Sequence, residues 1–388
     1  MIELTQGNLL EAEAEALVNT VNCVGAMGKG IALQFKQAFP DNFKAYQAAC
    51  RASKVAPGKM FIHANGDLVN PRYIINFPTK RHWRGPSRLE DIESGLAALI
   101  ADVQRLGIHS IAIPPLGCGL GGLDWRIVRP MIEQAFAALP QVRVLLFEPT
   151  GAPEAKAMPI RTHRPKMTPA RALFIKLMDA YAALDYRRTL LEVQKLAYFL
   201  QEAGEPLRLK YQAGHYGPYA ANLNKVLEVM EGHYIRGYGD SQKPDAEIDL
   251  LPGAVEEAAD FLADRPESRS RLERITDLIE GFETPYGMEL LASVHWAAHR
   301  GGPNQERPAG NPEEALAQIH AWNPRKQRVF KPEHIRTAWQ QLDQKDWMPA
   351  RGEASSPEDG PKILNYHGST VTLEEMEAAI RKGAEDSL

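Results

Sequence analysis

Two hydrophobic periods divide the chain. Up to residue 150, short β-branched or aliphatic runs end at polar or glycine-rich turns: "ALVNTVN", "RYIINFP", "SIAIPPLG" and "VRVLLFEP". Each reads as a strand. Helical patterns lie between them. The clearest covers 87–106, where Leu89, Ile92, Leu96, Leu99, Val103 and Leu106 recur at spacings of three and four. Ser87, with Glu90 three residues on, predicts a capping box at its start. Strands alternating with helices predict an α/β fold, its largely parallel sheet covered on both faces.

Beyond this region the strand signal stops. Residues 151–167 are rich in Pro and Ala and lack a period, so 156–167 reads as a linker between a first domain at 1–155 and a second at 168–350. The second domain reads as all-α, from "TPARALFIKLMDAYAALD" through "LLEVQKLAYFLQEAGE", "NLNKVLEVMEG", "AVEEAADFLAD" and "RLERITDLIEGF". Residues 351–388 read as a flexible spacer, then one short helix capped by Thr372 and Glu375. No internal repeat is present.

Composition narrows the setting. The 388 residues suit about two domains, and 44% hydrophobic with 24% charged residues can bury real cores. Cys23, Cys50 and Cys118 are odd in number and far apart, which suits free thiols in a reducing compartment. The acidic start "MIELTQGNLLEAEAEALVN" does not fit a signal peptide, and no apolar run approaches the ~18 residues of a membrane helix. A cytoplasmic protein without membrane contact is expected. Charge is uneven: 1–160 carries a net of +2, 161–388 a net of −6, and 231–290 alone a net of −9. The front half can approach a polyanion, whereas the back half repels one.

Two side-chain-poor loops carry the first candidate chemistry. In "VNTVNCVGAMGKGIALQF", Asn19 and Asn22 leave a strand, Gly25, Gly28 and Gly30 turn, and a helix begins near Ile31. In "PPLGCGLGGLDW", Gly117, Gly119, Gly121 and Gly122 follow a strand and run into a helix from about Asp124. Such turns let backbone N–H groups approach a phosphate, with the helix dipole adding to the attraction. Neither loop is a GxGxxG or a P-loop, so nicotinamide-dinucleotide binding is disfavoured. Singly, each would more often be structural; together they favour one crevice for an extended, doubly charged ligand.

These motifs resemble those of macrodomains, the three-layer α/β/α modules that bind ADP-ribose. "INFPTKRHWRG" with "PPLGCGLGGLDW" is similar, more narrowly, to the DarG antitoxin family. Its members remove ADP-ribose that DarT toxins attach to thymine in single-stranded DNA. The resemblance covers 1–150 and implies a site for these residues. Asn8 lies near the adenine, and Phe147 packs there. Asn19 and Asn22 lie at the strand end, with Asn22 on the distal ribose. Gly28, Lys29, Gly30 and Ile31, together with Gly117, Cys118, Gly119, Leu120, Gly121 and Gly122, wrap the diphosphate and distal ribose. No cofactor or metal is implied.

Lys80 is the expected catalytic residue. Glycosidic cleavage usually wants a carboxylate on each face of the sugar, and no such pair is evident. A related family, the terminal ADP-ribose protein glycohydrolases, combines a lysine with a loop aspartate; here Gly121 stands in the aspartate's place. An unprotonated Lys80 could attack the anomeric carbon, or its ammonium could serve the leaving thymine or a water. Arg81, His82, Trp83 and Arg84 suit DNA: cations for phosphates and an indole for an unpaired base, worth ~1–3 kcal/mol per base.

The helical half resembles, more weakly, a domain of phage-type antitoxins. By that resemblance 168–350 binds a cognate DarT-like toxin, and its acidic surface could fill a groove built for DNA phosphates. His295 and His299 lack the rest of a metal motif and read as a core or surface pair. Three readings stay open: a hydrolytic antitoxin, a non-catalytic ADP-ribose reader, and a purely protein-binding antitoxin.

Overall fold

Six strands make one sheet in a computed structural model that describes residues 1–66, 69–149, 158–182, 188–239, 247–303 and 307–349. They are β1 (Ile2–Thr5), β2 (Ala16–Asn22), β3 (Phe61–Ala64), β4 (Tyr73–Lys80), β5 (Ser110–Ile113) and β6 (Arg143–Phe147). Their order is β1-β6-β5-β2-β4-β3, with β3 antiparallel to β4 and the other pairings parallel. β1 and β3, only four residues each, lie at the two edges, and neither has the long apolar run that marks the inner strands.

Alternation sends the sheet's side chains to two faces. On one, Val18, Ile75, Phe77 and Ile113 pack against α3 (Leu89–Leu106) and α4 (Trp125–Phe136) through Ile92, Leu99, Val128 and Ile132. On the other, Leu17, Ile74 and Leu145 pack against Phe35 and Ala38 of α1 (Gly30–Ala38). Val21 joins a smaller cluster with Tyr46 and Ala49 of α2 (Pro40–Arg51). The result is the three-layer α/β/α macrodomain. The start of α3 differs from the sequence expectation. Its N-cap is Arg88, without a side-chain cap, because Ser87 turns inward against the glycine loop instead.

One irregularity in the sheet matters for the site. Val21 of β2 is opposite Pro78 of β4, but the next residue, Asn22, is opposite Lys80, so Thr79 is an inserted residue. Pro78 has no N–H for the ladder, and a bulge is where an inner strand tolerates it. A bulge also re-aims the side chains beyond it, here Lys80.

The remaining described chain is mostly helical: α5 (Pro169–Ala182), α6 (Leu190–Glu202), α7 (Leu223–Met230), α8 (Ala254–Leu262), α9 (Pro266–Ile279), α10 (Pro285–Arg300), α11 (Pro312–Trp322), α12 (Pro324–Val329) and α13 (Pro332–Gln344). Two small antiparallel ribbons interrupt it: β7 (Tyr211–Gly214) with β8 (Gly217–Ala220), and β9 (Ile235–Arg236) with β10 (Asp249–Leu250). Both halves belong to one unit, Met1–Asp346, and Trp347–Leu388 forms another. The segment 158–167 is tied down: Arg161 N–H donates to Gln37 O at 2.9 Å, and Thr162 Oγ1 lies 2.8 Å from His233 Nε2. The expected spacer and terminal helix lie outside the described residues. No described helix is long and apolar enough to cross a membrane.

Gly95 shows how closely α3 lies on the sheet. A Cβ there would stand 2.2 Å from Phe77 Cζ, inside the buried core. In an open helix Gly→Ala gains about 1 kcal/mol, whereas overpacking costs typically 1–3 kcal/mol. Steric overlap this deep makes the second effect win. Gly95→Ala is expected to lower unfolding free energy by about 1–3 kcal/mol, measured by urea denaturation.

Candidate functional site

β5, β2 and β4 are parallel neighbours, so their carboxyl ends lie side by side. β5 releases the second glycine loop, β2 the first, and β4 ends on Lys80. Open α/β sheets bind ligands at such an edge, where the chain departs to either side of a central strand.

The second loop is closed by its own backbone. Gly122 N–H donates to Gly119 O at 3.1 Å, Leu123 N–H to Gly117 O at 3.1 Å, and Ser87 N–H to Gly121 O at 2.9 Å. The N–H groups of Gly119, Leu120 and Gly121 meet no acceptor among the described residues. Consecutive free amides of this kind suit an anion. Gly121 lies in a space with no room for a side chain: a Cβ would stand 2.2 Å from both Gly117 O and Ser87 Oγ. The missing loop carboxylate is thus a steric requirement of this loop. Ser87 Oγ, buried and without a partner, fills the place.

The first loop is organised by Asn22. Its Oδ1 accepts from Val24 N–H at 3.0 Å and Ala26 N–H at 3.3 Å, and its Nδ2 donates to Ala26 O at 2.6 Å. The residue expected on the distal ribose thus also shapes the first loop. Asn19 lies deeper. It is fully buried and donates to Asn76 Oδ1 at 3.0 Å, and Asn76 in turn donates to Asn42 Oδ1 at 2.7 Å.

Lys80 reaches across to the second loop, where its Nζ donates to Leu120 O. Burial lowers its pKa below the ordinary lysine value, which raises the neutral fraction of the amine. The two nearby thiols are poor nucleophiles. Burial pushes both Cys23 and Cys118 up to about 11, so they stay protonated at neutral pH.

The basic turn divides into two parts. Arg81 is committed to Asp91 of α3 by two hydrogen bonds, from Nε at 3.2 Å and from Nη2 at 3.0 Å. The pair leaves the Arg81 side chain 61% exposed, and nothing in the local spacing signals a partner ten residues on. Trp83 is 49% exposed, so it does not pack into the core. His82 stacks on it at 5.4 Å between ring centroids, and the Arg84 guanidinium lies 4.5 Å from its ring centre. A groove of about 590 Å³ opens beside Arg81 and Asp91, with Cys23, Val55, Pro57 and Ser94 among its walls.

Residues 18–132 match the Macro domain family. A Thermus aquaticus protein named DNA ADP-ribosyl glycohydrolase is 50% identical over 339 residues, covering 87% of this chain and 92% of its own length. The chain belongs to the DNA ADP-ribosyl glycohydrolase family. The solved macrodomain of Mycobacterium tuberculosis DarG is 53% identical, covering 39% of this chain and 99% of its own, with a TM-score of 0.38. A Thermosipho africanus DNA ADP-ribosyl transferase–DNA ADP-ribosyl glycohydrolase fusion protein is 36% identical over 146 residues, 34% of this chain and 38% of that protein.

For a DNA ADP-ribosyl glycohydrolase, the expected shell is brought together only in part. Gly28, Lys29, Gly30 and Ile31 form the start of α1, and Leu120 meets them, its Cδ1 lying 3.3 Å from where a Gly30 Cβ would be. With Lys80 on Leu120, both loops and the lysine share one edge. Asn8 caps the 3-10 turn Leu9–Glu11 by accepting from Leu10 N–H at 3.1 Å. Phe147 is buried under that turn with Leu9 and Leu10. Sequence reasoning missed Ser87, Asp91 and the Asn42–Asn76 support; each acts through contacts distant in sequence. His295 is buried and hydrogen-bonded to Tyr198, 2.7 Å from Nδ1 to the hydroxyl, while stacking on His299.

Installing the related family's carboxylate should therefore damage the site. Gly121→Asp is expected to lose at least 2 kcal/mol of stability, roughly the overpacking cost against rigid backbone, and to lower ADP-ribose release. Urea denaturation and a release assay on one sample check both.

Proposed function

We propose that this chain is a DNA ADP-ribosyl glycohydrolase antitoxin that frees thymine bases of single-stranded DNA from ADP-ribose. The observation that carries the reading is the bulge that delivers Lys80 to the edge shared by both glycine loops, in a chain 50% identical to a relative of that name. The free amides of the second loop and the start of α1 take the diphosphate. The distal ribose then lies against Lys80, and the thymine departs on the side of Trp83. Exposed Trp83, flanked by Arg84 and His82, offers the strand a stacking face. The groove beside Arg81 and Asp91 accepts a flanking nucleotide.

Lys80 acts as the nucleophile. The neutral amine attacks the anomeric carbon, a C–N bond to Nζ forms, and the glycosidic C–N bond breaks with its electron pair leaving on thymine, which takes a proton. Loss of the amine proton and opening of the sugar ring give an imine. Water adds to it, and collapse returns free lysine and ADP-ribose. The net reaction is hydrolysis, and no partner carboxylate is needed to form the bond.

Activity tests this directly. Lys80→Ala and Lys80→Arg should both cut release from a thymine-ADP-ribosylated oligonucleotide roughly 10²–10⁴-fold, the usual span for one positioned catalytic group. Arginine keeps the charge but is always protonated, so a fully active Lys80→Arg would rule out the nucleophile. Only the neutral amine attacks. The wild-type rate should therefore rise with pH and level off above the Lys80 pKa, below the unperturbed ~10.4 of lysine. Borohydride should trap an ADP-ribose adduct on Lys80, seen by mass spectrometry.

The second role is toxin neutralisation by 168–350. The net charge of −9 over 231–290 supports it, because carboxylates can occupy a groove made for DNA phosphates. Joining of transferase and glycohydrolase in one Thermosipho africanus protein is consistent with such pairing. Full-length protein should co-purify with a cognate DarT-like toxin and block its activity when Lys80 is alanine. Loss of the block in that variant would place neutralisation in the hydrolase instead.

A further inference from the structure

The helical half lies on the amino end of α1, the place the proposed function assigns to the diphosphate. Gly30 N–H, at the first position of α1, donates to Gly239 O at 2.7 Å. Glu228 of α7 stands over the preceding turn, its Oε2 3.6 Å from where a Gly28 Cβ would be. That carboxylate is mostly buried and pairs with Lys36 of α1 and, at 3.5 Å, with Lys225. Lys29, the other cation of the turn, is drawn to the Tyr238 ring, 5.3 Å from its centre, and burial lowers its pKa. Two further contacts fasten the halves: Gln37 Nε2 donates to Glu231 O at 2.8 Å, and Leu33 lies 2.7 Å from where a Gly239 Cβ would be.

A helix amino end attracts anions through its free N–H groups and its dipole. Here one N–H already has a carbonyl, and a carboxylate already occupies the field. Both are what a diphosphate oxygen would supply. We propose that Glu228 and Gly239 are an internal competitor for the diphosphate subsite, so that the helical half holds the macrodomain in a ligand-excluding arrangement. This rests on the reading of the glycine turn as an ADP-ribose site.

Two consequences follow from linkage. ADP-ribose binds the unclamped fraction, so its apparent affinity is reduced by that fraction. Coupling is reciprocal: bound ADP-ribose loosens the contact by the same factor, and anything that draws α7 away tightens ligand binding. Capture of a toxin by the helical half would thereby control the hydrolase.

The test uses the full chain. ADP-ribose affinity is measured by calorimetry for wild type and Glu228→Gln, a substitution that keeps shape and removes the charge. Amide hydrogen exchange is followed in wild type with and without saturating ADP-ribose. Glu228→Gln should bind roughly three- to tenfold tighter, and amides of 231–239 should exchange faster with ligand while those of 29–33 slow. Equal affinity with unchanged or slower exchange at 231–239 would overturn the internal competitor and leave the ADP-ribose site standing. No binding by either protein, with no protection at 29–33, would overturn both.

Discussion

The site depends on one buried pairing, Asn19 of β2 with Asn76 of β4. The two side chains are opposite each other in adjacent parallel strands and joined at 3.0 Å. A one-residue slip would turn every apolar side chain to the wrong face, so the hydrophobic pattern forbids it. A two-residue slip keeps the faces, and the amide pairing opposes it, together with the fit of Phe77 against Gly95. Asn76 also donates to Asn42 of α2 and to Phe61 O, so a slip would strand several buried polar groups. Each costs about 1–3 kcal/mol when unpaired. That is enough to fix one register, and the register brings Asn22 opposite Lys80. Asn22 in turn shapes the first glycine loop. The amide contact thus helps to set both the first glycine loop and Lys80.

The inner strands and the two glycine loops were legible because their signals are local. "ALVNTVN" becomes β2 residue for residue, and Asp124 caps α4 where the second loop was expected to end. What was not legible is held by contacts remote in sequence. Ser87 and Glu90 have the spacing of a capping box, yet the serine is needed to fill the volume beside Gly121. Filling a void outweighs one exposed cap, worth about 1 kcal/mol. Arg81 looked like a free cation because its partner, Asp91, comes from the next helix. Edge strands β1 and β3 are too short to show a period. The β7–β8 hairpin of the helical half rests on the turn at Gly214–Gly217 and on pairing that helical periodicity does not encode.

Gly121 recasts the question of catalytic groups. A loop with an aspartate there would need Ser87 displaced and Gly117 O moved, which would reshape the amides that face the ligand. The loop instead keeps its compact turn and three free N–H groups. The lysine proposed for the chemistry comes instead from a neighbouring strand, brought to the same edge by the bulge from Pro78 to Lys80. The same burial that lowers the lysine's pKa raises the thiols on either side. Desolvation favours the neutral form of every group, and neutrality activates an amine while silencing a thiol.

The basic turn also carries less charge than its sequence suggests. Arg81 is paired with Asp91, and burial lowers the Lys80 pKa. Arg84 remains, lying on the Trp83 ring with His82 against the same indole. A cation over an aromatic face keeps that ring presented to solvent. In the function proposed above, this ring is the stacking face offered to the strand, and stacking is tolerant of base identity.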